Sequence, residues 1–269
     1  MSKKINNVTD YWDYSLYKIL DKGVLEDVLK FHQSTTTIKN GDYTNPFSHN
    51  TYNWLDQVEY QDTLPNFFLG EIDLDITKGN FQNSKREFKK ESIPKSTLGN
   101  ILYKSFGRSK DHSSKRYPSA GALYPVMPLI YILDDEAVLG IPSAKGVYLF
   151  DSEKSVLKKI KSWNEEEFNS FVQSINPWQN ELYSNILIGY AINMEKTVAK
   201  YKKRGYRHAL IEVGLMAQAF REVIKQENSL GDFCWSGFDD NTVTYYSGLN
   251  PRLCPVTLLQ WFGITGENI

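Results

Sequence analysis

The apolar run Ile186 to Ile192, bounded by Asn185 and Asn193, does most to limit what this chain can become. It carries no charge, is too short for a helix through a core, and reads as a buried strand. A buried strand needs cover. Tyr206 to Gln226 supplies the clearest helix, with Leu210, Val213, Ala217, Phe220 and Ile224 recurring along one face. Tyr11 to His32 repeats the helical spacing through Leu16, Ile19, Leu20, Val24, Val28 and Phe31, with Gly23 as an interruption that allows two short helices. Thr97 to Phe106, with Ser96 as N-cap, and Asn164 to Ser174 predict further helices. Strands are expected near Met127 to Leu133, Gly146 to Phe150 and Pro255 to Ile264, with a short element at Val156 to Lys161. Gly107 to Lys115 and Gly231 to Asp240 read as loops, Thr35 to Asp56 as an irregular arm, and Pro65 to Asp75 as extended chain. Strands separated by helices, with no internal repeat, predict an α+β fold around one sheet. Two regions are expected: an N-terminal helical and irregular extension over 1–75 that contacts a partner or a second copy, and the main domain over 76–269.

Charge narrows the partners. With 31 basic and 32 acidic residues, net charge −1, nothing advertises a nucleic acid or an anionic membrane. Lys3 and Lys4 are followed by no apolar signal region, and the uncharged run Tyr117 to Leu133 is broken by Pro118, Pro125 and Pro128 and too short to cross a bilayer. A soluble, cytoplasmic protein is expected. Cys234 and Cys254 sit among apolar neighbours without a Cys-x-x-Cys pattern, and the four histidines are scattered. Buried reduced thiols and no metal centre follow. The 17 tyrosines, 14 phenylalanines and 6 tryptophans suit a large flat ligand or an extensive interface, and equally a plain aromatic core.

Three stretches can carry chemistry. Pro118-Ser119-Ala120-Gly121 is a small-residue turn feeding a strand, which lets backbone approach a ligand closely; it also serves as a simple tight connection. Asn83-Ser84-Lys85-Arg86 offers a hydroxyl and a guanidinium to one phosphate, or is a solvated charged segment. Lys200-Tyr201-Lys202-Lys203-Arg204-Gly205-Tyr206-Arg207 is a basic patch, a source of proton-transfer groups, or an exposed helix lead-in.

Taken together and in order, these stretches resemble the FMN-dependent nitroreductase superfamily. More closely they resemble the azoline dehydrogenases, the oxidase subunits of microcin- and streptolysin-type synthetases that make thiazole- and oxazole-modified peptides. The resemblance rests on Arg116-Tyr117-Pro118-Ser119-Ala120-Gly121-Ala122-Leu123-Tyr124-Pro125. It rests equally on Lys200-Tyr201, on Arg204 to Arg207 with Glu212, Gly214 and Gln218 after them, and on Trp235 to Asp240 followed by Pro255 to Gly263. It implies an α+β nitroreductase-like fold with a mixed or antiparallel central sheet, and a noncovalent FMN at a homodimer interface. Ser84 and Arg86 would then touch the phosphate. Arg116, Pro118, Ser119, Ala120 and Gly121 would line the isoalloxazine, from the partner subunit in many members. Gln218, Trp235, Ser236 and Gly237 match further flavin-contacting positions. Gln82 and Asn83 stand where many relatives carry arginine, Ala219 replaces an asparagine, and the basic tail of simple nitroreductases has no counterpart before Ile269.

The implied reaction is oxidation of a thiazoline or oxazoline in a heterocyclised precursor peptide delivered by cyclodehydratase subunits. A Lys–Tyr pair serves the proton step in that subfamily and maps onto Lys200 and Tyr201. Ordinary Lys and Tyr, with pKa values of about 10.4 and about 10, are mostly protonated at neutral pH, so one must be tuned or the pair must share a proton. Two alternatives stand beside this reading: a generic NAD(P)H-dependent nitro- or quinone reductase of the same fold, and a noncatalytic flavin-bearing scaffold.

Overall fold

In a computed structural model the described residues are 15–38, 48–79, 81, 83–111, 113–177, 182–227 and 229–266. The chain divides into two compact units, one of residues up to Ile38 with Ser84–Ile269, the other Lys39–Asn83. The second unit holds α2 (His49–Val58), begun by the Ser48 side chain accepting from Thr51 N, and none of its residues is buried. This helix lies where the sequence suggests an irregular arm. Residues 61–79 take no regular element.

The first unit is built on a six-stranded sheet. Its strands are β2 (Val126–Ile132), β4 (Gly146–Asp151), β5 (Val156–Lys161), β6 (Ile186–Ile192), β7 (Leu230–Trp235) and β8 (Val256–Ile264), in the order β5-β4-β2-β6-β8-β7. Every neighbouring pair is antiparallel. A separate parallel pair joins β1 (Ile93–Pro94) to β3 (Val138–Leu139). All residues of β6 are buried, because both faces of the sheet are covered. Gly189 is required there: a Cβ would lie 2.5 Å from the Tyr131 ring.

Side chains alternate between the two faces. Ile130, Ile132, Ile188 and Tyr190 pack beneath α1 (Lys22–Ser34), α3 (Lys95–Phe106), α5 (Met194–Tyr201) and α6 (Lys203–Ile224). Leu129, Tyr131, Leu187 and Trp261 pack against α4 (Glu165–Ile175) and α7 (Asp240–Tyr246). The expected α+β class holds, as three layers around an antiparallel sheet.

Several expectations are corrected. The N-terminal helical stretch breaks at Leu20–Asp21, where the Asp21 carboxylate accepts from Val24 N at 3.1 Å; Gly23 falls in the first turn of α1, and Tyr11–Tyr14 lie outside the described residues. α3 starts at Lys95 on Pro94, whose extended backbone serves as N-cap, so Ser96 lies inside the helix. Gly231 to Asp240 is a loop only over 236–239: residues 231–235 belong to β7, which pairs with β8, and Asp239 caps α7, its side chain accepting from Thr242 N at 2.9 Å. Cys234 is exposed, because alternation along β7 turns Phe233 inward and Cys234 outward, and Cys254, outside that strand, is half-buried. Leu210 is 41% exposed; the buried face of α6 runs instead through Ala209, Glu212, Val213, Met216 and Phe220.

Candidate active site

The corner between α5 and α6 presents Lys200 and Tyr201. Lys202 breaks the two helices with φ 53°. Gly205 lets the chains close, since a Cβ there would strike the Thr197 carbonyl, and Thr197 Oγ1 donates to the Gly205 carbonyl at 2.7 Å. Lys200 Nζ lies 5.2 Å from the centre of the Tyr201 ring, and that ring meets His208 edge-on at 5.1 Å.

The turn Ser119 to Tyr124 faces this corner. Gly121 has φ 61°, and a Cβ on it would collide with both Lys200 Nζ and Tyr201 Oη. Ala122 (φ 56°) and Tyr124 (φ 47°) also take left-handed backbone. Such conformations cost on the order of 1–3 kcal/mol each and persist only where their surroundings impose them. Here Ala122 N donates to Ser119 O at 3.0 Å and Tyr124 N to Ser119 Oγ at 2.9 Å, while Ser119 Oγ donates to Glu212 Oε2 at 2.5 Å. The fold therefore joins two motifs that the sequence offers separately: the Pro118–Gly121 turn and the Lys200–Tyr201 pair.

Charge gathers behind the turn. Burial raises the Glu212 pKa, against the pull of the Ser119 hydrogen bond and of Lys115 and Lys196. Burial, with Arg108 nearby, pushes Lys115 down to about 8. Burial, then Glu212, holds the Tyr117 phenol far above its ordinary range. Lys115 Nζ and the Arg108 guanidinium lie 5.4 and 5.0 Å from the Tyr124 ring centre.

α6 links this turn to the second predicted region. From Glu212 to Arg221 the helix advances about 14 Å at 1.5 Å per residue. Arg221 Nη2 donates to Ser84 Oγ at 2.8 Å, and its Nε donates to both carboxylate oxygens of Asp232 at 3.0 and 3.2 Å. Segment 84–89 runs along the sheet, with Lys85 N donating to Asp232 O and Lys89 N to Ile264 O. Arg86 is exposed, its guanidinium 5.9 Å from the Phe233 ring centre. Arg116 pairs with Glu222 at 3.3 Å, and Gln218 lies on the exposed face of α6. Pro118 is exposed and Ala120 half-buried on the turn. Trp235 Nε1 donates to Ile175 O at 2.8 Å; Ser236 is exposed, and a Cβ on Gly237 would lie 2.9 Å from the Trp235 ring. Asn83 belongs to the other unit, and Gln82 lies outside the described residues.

Sequence reasoning assigned no role to Glu212, Lys115, Arg221 or Asp232. A signal for Glu212 exists: an acid at helical spacing within the buried series Ala209, Val213, Met216.

Comparison with known proteins fixes the family. McbC, the microcin B17-processing protein of Escherichia coli, is 27% identical over 175 residues, 64% of this chain and 62% of McbC. The chain thus matches about three fifths of that relative's length. MJ1384 of Methanocaldococcus jannaschii is 27% identical over 162 residues, 60% of this chain and 78% of that protein. Among solved structures, a chain of the E. coli microcin synthetase McbBCD complex with truncated pro-MccB17 bound superposes with a TM-score of 0.81 at 24% identity, covering 94% of this chain and 97% of that one. The profile of the nitroreductase family matches residues 82–244, well over half of the chain, and the protein therefore belongs to the nitroreductase family.

Proposed function

We propose that this protein is an FMN-dependent dehydrogenase that oxidises thiazolines or oxazolines in a heterocyclised precursor peptide to thiazoles or oxazoles, acting in the cytoplasm as a homodimer alongside cyclodehydratase subunits. The observation that carries the reading is the Lys200–Tyr201 pair standing against the Cβ-free surface of Gly121. Family membership and the likeness to McbC support it. An exposed apolar stripe on α6, with Ile211 54% and Leu215 38% exposed beside Gly214, supports the second copy.

The residues present fit FMN. Ser84, whose Oγ accepts from Arg221 Nη2, and the exposed guanidinium of Arg86 two residues on would be the groups that meet its phosphate. The exposed backbone of Gly121 offers a flat surface to a ring. FMN, when bound, supplies the hydride acceptor. The chain's own task is then to hold the peptide ring and remove its proton, and Lys200 Nζ and Tyr201 Oη, both beside Gly121, would take it.

Lys200→Ala and Tyr201→Phe should each lower azoline oxidation by about 100- to 10,000-fold while flavin stays bound. The assay is the mass loss of two hydrogens per ring on a cyclised peptide. Near-wild-type turnover in both variants would remove the pair from the reaction and leave the generic reductase reading of the same fold.

A further inference from the structure

We propose that Glu212 is the positioning residue of this site: through the Ser119 hydroxyl it sets the left-handed turn that holds Gly121 against Lys200 and Tyr201. The proposal rests on the functional reading above for its effect on turnover, but not for its effect on the turn.

Glu212 is 2% exposed on the core-facing side of α6. A carboxylate that deeply buried is ordinarily paired with a cation or surrounded by donors. Among the described residues Glu212 forms no ion pair within 4 Å; Oε2 accepts from Ser119, the Val126 amide is also turned to the carboxylate, and Oε1 has no hydrogen-bond partner. A buried acid held by a serine and one backbone amide, with no cation in contact and one oxygen without a partner, is not a closed stabilising network.

Ser119 passes the constraint on. Its hydroxyl donates to Glu212 and its oxygen accepts the Tyr124 amide, so the carboxylate fixes the direction of the hydroxyl proton and leaves the lone pairs aimed at Tyr124 N. Ser119 and Tyr124 bracket the turn, and Ala122 and Tyr124 hold left-handed φ values that an alanine and a tyrosine do not keep unaided. Between them Gly121 meets the two proposed proton-transfer groups with no room for a methyl group. A displacement of about 1 Å at such a point is enough to cost about 100-fold in rate.

The groups that face Glu212 are Ser119, Lys115, Lys196, Tyr117 and the Val126 amide. Burial raises its pKa, and Ser119, the Val126 amide and the two lysines oppose that rise. Glutamine retains an acceptor oxygen of the same reach, whereas alanine removes it.

The test uses the full chain carrying Glu212→Ala, Ser119→Ala, both, or Glu212→Gln. Amide hydrogen exchange at Ala120 to Leu123, measured without flavin or peptide, reads the turn directly. It should quicken at least about tenfold in Glu212→Ala and Ser119→Ala and stay near wild type in Glu212→Gln. With flavin and cyclised peptide, kcat should fall about 100-fold with KM within about threefold. The double variant should be no worse than either single one, since both remove the same strut. Unchanged exchange in Glu212→Ala, or losses that multiply in the double variant, would overturn the proposal. If Glu212→Ala does not fold, Ser119→Ala and Glu212→Gln decide: normal exchange in the first, or quickened exchange in the second, is equally fatal. A wild type inactive on azolines would defeat the functional reading while the exchange pattern still judged the brace.

Discussion

Two carboxylates are buried against the same helix to nearly the same depth, Glu212 at 2% and Asp232 at 4% exposed, and their surroundings differ completely. Asp232 receives Arg221 Nε on both oxygens and Gln260 Nε2 at 2.7 Å. Gln260 in turn donates to Ala217 O and accepts from Tyr190 Oη at 2.5 Å. That network closes, tying β7, β8, β6 and α6 together. Glu212 has Ser119, the Val126 amide and an oxygen without a partner, and no cation in contact. The first acid stabilises the fold; the second shapes a turn at the site. Equal burial says little about what a charge is for, and the count of satisfied lone pairs says more.

The sharpest way to break this contrast is at Asp232. Asp232→Ala should cost about 3–5 kcal/mol in urea unfolding, because it takes the carboxylate from between Arg221 Nε and Gln260 Nε2 and leaves the guanidinium charge uncompensated. A loss under about 1 kcal/mol would show the network to be dispensable. Gly121→Ala tests the other pole. Its left-handed backbone and the collision with Lys200 Nζ and Tyr201 Oη should cost about 1–3 kcal/mol, with a larger loss in turnover than in stability. A variant with normal turnover would mean that the turn and the pair need not touch.

How much of this was legible beforehand follows the same division. β6 and α6 announce themselves, since one is an unbroken apolar run and the other keeps helical spacing for six turns. β7 does not: Leu-Gly-Asp-Phe-Cys-Trp mixes a glycine and an acid into a strand, and the acid becomes tolerable only through Arg221 and Gln260, neither adjacent in sequence. The same holds at the site. Ser119 to Gly121 and Lys200–Tyr201 each stand out as motifs, but their contact is a product of the α5–α6 corner. Glu212 stands in the sequence among the residues that carry the family resemblance, and only its bond to Ser119 says what it does.

Neutral amides separate the two acids with less violence. Burial raises the folded pKa of Glu212, so the folded state takes up a proton more readily than the unfolded one. Its contribution to stability is then fullest at low pH and is lost as pH rises through the folded value. Glu212→Gln should therefore match or exceed the wild type in thermal stability at pH 7.5, with the difference shrinking toward pH 4.5. Asp232→Asn should be less stable than the wild type at pH 7.5, having lost the charge that Arg221 needs. Parallel losses in both variants would erase the distinction.

A third acid falls between these poles and gives the smallest effect. Asp240, at the first turn of α7, clasps the segment that follows α1: Oδ2 accepts from Thr37 N at 2.8 Å, and its own amide donates to Thr37 O at 3.2 Å. Burial, with Asp239 adding repulsion, raises its pKa to about 6, against the Thr37 hydrogen bond. The helix N-terminus favours the anion by a few tenths of a kcal/mol up to about 1, which is not enough to offset that burial. The folded value exceeds the unfolded one, so this group's stabilisation is complete below about pH 4 and fades as pH climbs to about 6. Asp240→Asn keeps an acceptor for Thr37 and removes the titration. It should flatten the fall in unfolding free energy between pH 4 and 6 by about 1–2 kcal/mol, a figure reduced because the carboxylate is partly exposed. An unchanged slope would mean that the Thr37 clasp opens in solution and leaves Asp240 in water, an exposed acid like any other rather than a partly satisfied buried one.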